Sequence, residues 1–97
     1  MTEAISIVEV HTLNDNSESL ARLLTELADS IRNTPGCLAY QSLPSHSRRG
    51  LWIITGLWES SRAMESHFSH PALTGVIDLL TRHRVNKILV SGFPKAA

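Results

Sequence analysis

The segment Leu51-Trp52-Ile53-Ile54-Thr55-Gly56-Leu57-Trp58 is the most constraining stretch of this chain. The expected strand, Leu51 to Glu59, has no proline, no charge before Glu59, and many β-branched and aromatic residues. Leu51, Ile53 and Leu57 alternate to one side, and Trp52, Ile54 and Trp58 to the other. A strand apolar on both sides belongs to a sheet covered on both faces, whereas a sheet with one wet face alternates apolar and polar residues. The last strand expected, Val85 to Val90, carries Val85, Ile88, Leu89 and Val90 and is similarly two-sided. The chain has only 97 residues, enough for one domain and for helices over one face of a small sheet. The other face then requires a second copy of the chain. A homodimer packed sheet to sheet is expected, with roughly 800 Å² buried per subunit.

The remaining elements follow from local signals. Residues 5–13 read as a first strand. Asn14 to Ser17 offer helix caps, with Asp15 and Glu18 spaced for a capping box. Leu20, Leu23, Leu24, Leu27 and Ile31 form an amphipathic helical stripe that Thr34-Pro35-Gly36 ends. A second strand runs from Cys37 to about Leu43, and the polar segment Pro44 to Gly50 links it to the third. Ser60 and Ser61 cap a helix that turns Met64 and Phe68 inward. Pro71 opens another helix, with Leu73, Val76, Ile77 and Leu80. The order β-α-β-β-α-β is that of a ferredoxin-like α+β fold, an antiparallel sheet with helices on one face. One domain spans residues 1–97, with a short tail from about Pro94.

Charge and cysteine content narrow the function classes. Nine Lys and Arg balance nine Asp and Glu, so nothing favours nucleic acid or an anionic membrane. The balance is uneven along the chain: residues 1–47 carry a net −4 and residues 48–97 a net +4. Complementary subunit surfaces or simple interleaving of the halves both account for that. The lone Cys37 rules out an internal disulfide. No apolar run approaches the ~20 residues of a membrane span, and the N-terminus does not read as a signal peptide. A cytoplasmic location is expected.

Two stretches carry a family pattern: Pro35-Gly36-Cys37 at the start of strand two, and Trp58-Glu59 followed by Ala63-Met64-Glu65-Ser66-His67-Phe68. Together they resemble the antibiotic biosynthesis monooxygenase family of dimeric α+β-barrel proteins. The resemblance spans essentially the whole chain. It implies a pocket between sheet and helices, a small aromatic ligand or substrate, O₂ as co-substrate, and no metal or other cofactor. Strand parity puts Trp58 with Trp52, Ile54 and the gap left by Gly56. Trp58 would stack on a planar aromatic, while His67 and Tyr40 would bond a phenol or quinone oxygen. His67 is the natural base, because its ordinary pKa lies near 6.5. Phe68 would complete the lining.

Departures from the family pattern shape the expectation. Gly56 stands where relatives often have Glu, removing a base and leaving space. Ile54 stands where anthrone-type oxygenases have Asn. Haem-degrading members have Trp at the place of His67, an axial His at that of Ile77, and Asn at that of Val10, so haem degradation is not expected. The leading expectation is a cofactor-independent monooxygenase for a phenolic or quinol-like aromatic. The alternative is a non-catalytic small-ligand-binding or stress-associated protein using the same pocket.

Bland roles stand beside each of these. Trp58 also suits core packing, Tyr40 a structural hydroxyl, and Cys37 a small filler. His67 also suits a backbone partner, and His11, on the same strand face as Glu9, an ion pair or interface contact. His67 and His70 have a metal-like spacing, but Pro71 draws His70 out of helical geometry. The basic cluster Arg82-His83-Arg84 with Lys87 reads as the solvated end of a helix.

Overall fold

The structure, a computed structural model, describes residues 2–12, 18–48, 50–81 and 85–94. The cap candidates from Asn14 to Ser17 and the cluster Arg82-His83-Arg84 lie outside the described residues. In order, the elements are β1 (Ala4–Thr12), α1 (Glu18–Arg32), β2 (Cys37–Pro44), β3 (Leu51–Trp58), α2 (Ser61–Phe68), α3 (Pro71–Thr81) and β4 (Val85–Pro94). The strands form one sheet in the order β2-β3-β1-β4, with every neighbouring pair antiparallel. β3 thus splits β1 from β2, and the fold is ferredoxin-like α+β.

The register assigns each side chain to a face. Ala4, Ser6, Val8 and Val10 of β1 pair with Trp58, Gly56, Ile54 and Trp52 of β3. All of β1's members of that set are buried, as are Ile54 and Trp58. They meet Leu24, Leu27, Ala28 and Ile31 of α1, Met64 of α2, and Leu73 and Leu80 of α3 in one core. The alternation of β1, with period two, therefore locks onto the 3.6-residue stripe of α1.

Among the described residues nothing covers the opposite face. Ile5, Leu57 and Phe93 lie across one row and Leu43, Ile53 and Leu89 across another. Of these, Ile5, Leu43, Leu57, Leu89 and Phe93 are exposed.

Local chemistry explains the boundaries. Ser60 is the N-cap of α2, its hydroxyl accepting from the Ala63 N–H at 3.0 Å. At the start of α3 the His70 imidazole takes that role, Nδ1 accepting from the Ala72 N–H at 3.0 Å. β4 runs to Pro94, four residues beyond the expected end at Val90. Gly92 lies within this extension. It pairs with Ser6, and a Cβ there would lie 2.9 Å from the Met64 Cε, so the missing side chain lets α2 sit on the strand. Pro94 is tolerated because β4 is an edge strand.

Candidate functional site

The end of β3, the middle of β2 and the last turn of α2 converge on one aromatic cluster. Trp58 closes β3 on the helix side. Tyr40 pairs with Gly56 on the same face, and His67 descends from α2. All three are buried: Trp58 is 0% exposed, Tyr40 2% and His67 3%. The His67 ring lies between Trp58 and Phe68, with centroids 4.4 Å from each. Tyr40 meets it edge-on, with centroids 5.5 Å apart and planes at 73°.

Hydrogen bonds fix the protons. His67 Nδ1 lies 2.6 Å from the Met64 carbonyl oxygen, which can only accept, so Nδ1 carries the hydrogen. Burial holds the His67 pKa below its ordinary value. The neighbouring His70 pushes the same way, and the Met64 bond opposes both. A neutral imidazole with Nδ1 protonated leaves Nε2 as a lone-pair acceptor. The Tyr40 hydroxyl donates to it across 3.4 Å, a long and weak contact. Burial, followed by the influence of Cys37, raises the Tyr40 pKa, so the phenol keeps its proton at neutral pH. Cys37 is half-buried at the rim of the core, and burial raises its thiol pKa against smaller lowering effects from Ala39 and Arg32.

The structure thus brings Trp58, His67, Tyr40, Phe68 and Gly56 together. It corrects one expectation: Gly56 leaves no gap. A Cβ there would stand 2.6 Å from Ser6 Oγ, 2.7 Å from Trp58 Nε1 and 2.8 Å from Tyr40 Cδ1, so the Trp58 indole already occupies the space. Ile54 is buried in the adjoining core. Trp52, six residues along the strand, lies roughly 20 Å away at ~3.3 Å per residue and joins no aromatic stack.

Ser6 is the member that sequence reading missed. It is 1% exposed, and its hydroxyl accepts from Trp58 Nε1 at 2.9 Å. A serine alternating with Ala4 and Val8 on the buried side of an apolar strand is the available signal. Its partner, however, is 52 residues away.

Outside this cluster a groove of about 500 Å³ opens between the turn at residues 34–36 and α2. Pro35, Gly36, Glu59, Arg62, Ser66 and His70 line it, and of the expected site residues only His67 reaches it. Among the described residues no three His, Cys, Asp or Glu side chains gather as a metal site. His67 Nε2 faces the Tyr40 hydroxyl, and His70 Nδ1 caps α3 by accepting from the Ala72 N–H. Among the described residues no helix is long and apolar enough to cross a membrane.

The profile of the antibiotic biosynthesis monooxygenase family matches residues 4–78. This chain belongs to that family. A Deinococcus radiodurans protein described as a candidate antibiotic biosynthesis monooxygenase shares 26% identity over 97% of this chain and 93% of its own, with a TM-score of 0.86. A Shewanella oneidensis protein (15% identity, 97% and 91% covered, TM-score 0.84) and a Pseudomonas aeruginosa protein (18%, 100% and 97%, 0.79) share the fold. No curated protein matches the chain.

Proposed function

We propose that this family member is a cofactor-independent monooxygenase that oxidises a small phenolic or quinol-like aromatic with O₂. The supporting observation is the state of His67: neutral, tautomerically fixed by Met64, and with Nε2 turned to a weakly held hydroxyl. A substrate phenol that takes the place of the Tyr40 hydroxyl at Nε2 gives up its proton to the imidazole. The electron-rich phenolate then reacts with O₂. One oxygen atom becomes a ring carbonyl and the other leaves as water, with the substrate supplying all four electrons. Trp58 and Phe68, whose tilted rings already pack on the imidazole, align the aromatic, and Tyr40 donates to its oxygen. Metals and organic cofactors have no part in this scheme.

The same reading makes the chain a homodimer, with the open sheet face of one copy against that of another. Exposure of Ile5, Leu43, Leu57, Leu89 and Phe93 on that face supports it. Balanced charge favours neither nucleic acid nor membrane as a partner, and the proposed location is the cytoplasm.

A second reading, a small-ligand-binding or stress-associated protein without turnover, draws on a different observation. The groove of about 500 Å³ beside α2 is open, and of the aromatic cluster only His67 lines it. Oxygen uptake by metal-free protein with quinols, anthrones and flavonol-like phenols separates the two. Uptake above the autoxidation blank, lost in a folded His67→Ala variant, is the expected result. No uptake with any compound, alongside saturable quenching of tryptophan fluorescence by one of them, overturns catalysis in favour of binding.

A further inference from the structure

The open sheet face contains one polar irregularity that the aromatic site does not use. Glu9 and His11 project from β1, a central strand, into a face that is apolar except for Gln41, Thr55, Ser91 and the edge residue Lys87. His11 Nε2 stands 3.5 Å from Glu9 Oε1, yet it has no hydrogen-bond partner and is shielded from solvent. The His11 side chain is 20% exposed and that of Glu9 34%. Around them β3 presents Leu51, Ile53, Thr55 and Leu57, and β2 presents Ala39, Gln41 and Leu43. β4 presents Lys87 beside His11, then Leu89, Ser91 and Phe93. Among the described residues the titratable and charged groups on this face are therefore Glu9, His11 and Lys87.

We propose that Glu9 and His11 make closure of this face by a second copy proton-dependent, tightest when His11 is imidazolium and Glu9 carboxylate. The inference rests on the homodimer reading. A second copy suits the face in size and shape. Four strands ~4.8 Å apart and about eight residues long at ~3.3 Å span roughly 19 by 26 Å, a flat outline of about 500 Å² to which side-chain relief adds area towards the ~800 Å² per partner of a standard interface. Charges of both signs also let a two-fold-related copy meet it without net repulsion.

The sign follows from desolvation. Closing the face removes water from the Glu9 carboxylate, and an uncompensated charge in an apolar interface is costly. Lys87 is exposed on the edge strand, where its ammonium stays hydrated. His11, already within 3.5 Å, is the group placed to neutralise Glu9, and only when protonated. Its orphaned Nε2 then becomes a charge-assisted donor. The dimer therefore binds protons more tightly than the monomer, and association strengthens as pH falls from 8 to 6.

The test is the dimer dissociation constant at pH 8, 7 and 6, measured by dilution of fluorescently labelled full-length protein to picomolar concentrations. Uptake of protons when the face closes predicts a dissociation constant at least about tenfold lower at pH 6 than at pH 8. His11→Gln and, independently, Glu9→Gln flatten the dependence, while Lys87→Gln keeps it. The buried His67 remains in all three variants, so its titration cancels from the comparison. A dimer with the same constant at each pH, or an unchanged slope in His11→Gln, overturns this inference and leaves the homodimer intact. A monomer at every pH overturns both.

Discussion

The indole of Trp58 lies over the imidazole of His67 with ring centroids 4.4 Å apart and planes inclined by 31°. The stack couples a fluorophore to the proposed base, so the protonation state of His67 is readable without a substrate. An imidazolium against the indole face quenches its emission through its positive charge, whereas a neutral ring does so far less. In a Trp52→Phe variant, which leaves Trp58 as the sole tryptophan, emission is expected to fall on acidification. The midpoint should lie below 6.5, because burial holds the His67 pKa down. His67→Gln should abolish the titration. A midpoint above 6.5 contradicts the assigned neutral tautomer.

The same shift predicts how stability depends on pH. A histidine whose folded pKa is depressed binds its proton less readily folded than unfolded. Its favourable contribution is therefore complete above the unfolded value near 6.5, and declines as pH falls towards the folded pKa. Urea midpoints at pH 7.5 and 5.5, taken at one protein concentration, should drop more for the natural chain than for His67→Gln. An equal drop in both would show that His67 is not the titrating group.

Ser6 and Gly56 give a packing prediction. Ser6→Ala removes the acceptor from Trp58 Nε1 and leaves a buried N–H unpaired, a loss of about 1–3 kcal/mol. Gly56→Ala forces a methyl against Ser6, Trp58 and Tyr40 at distances between 2.6 and 2.8 Å, a comparable cost of ~1–3 kcal/mol. For a domain of this size each kcal/mol lowers the melting temperature by about 4–8 °C. Calorimetry that finds Gly56→Ala neutral would mean that the indole moves aside readily, and that the space is available to a ligand.

The contrast between these positions and the strand pattern shows where sequence reasoning reaches its end. Parity along β3 is a local property with period two, so the partition of Leu51, Ile53 and Leu57 from Ile54 and Trp58 was legible before any coordinates. The α1 stripe was legible for the same reason. What occupies the space beside Gly56 depends on a rotamer of Trp58 and on Ser6, brought together across the sheet by register. Likewise, the close approach of Gly92 to Met64 belongs to tertiary packing and carries no local signal. Local periodicity thus gave the faces, the family resemblance pointed to the aromatic cluster, and side-chain packing decided how much room the cluster has.

Leu57 tests the covering of the open face most directly. It is 37% exposed and pairs with Ile5 on one side and Ala39 on the other, inside the apolar rows of that face. In a lone subunit an aspartate at this position reaches water and costs little. Beneath a second sheet its carboxylate is desolvated once in each subunit, with no cation placed to compensate. Leu57→Asp should therefore keep the far-ultraviolet circular dichroism of the natural chain while light scattering reports half the mass. Val90 provides the control. It is 49% exposed but pairs with the buried Val8, so it belongs to the helix side of the sheet. Val90→Asp should leave the dimer mass unchanged. A folded Leu57→Asp variant that retains the dimer mass, with Val90→Asp monomeric, would move the interface to the β4 edge and leave the open face without a role in assembly.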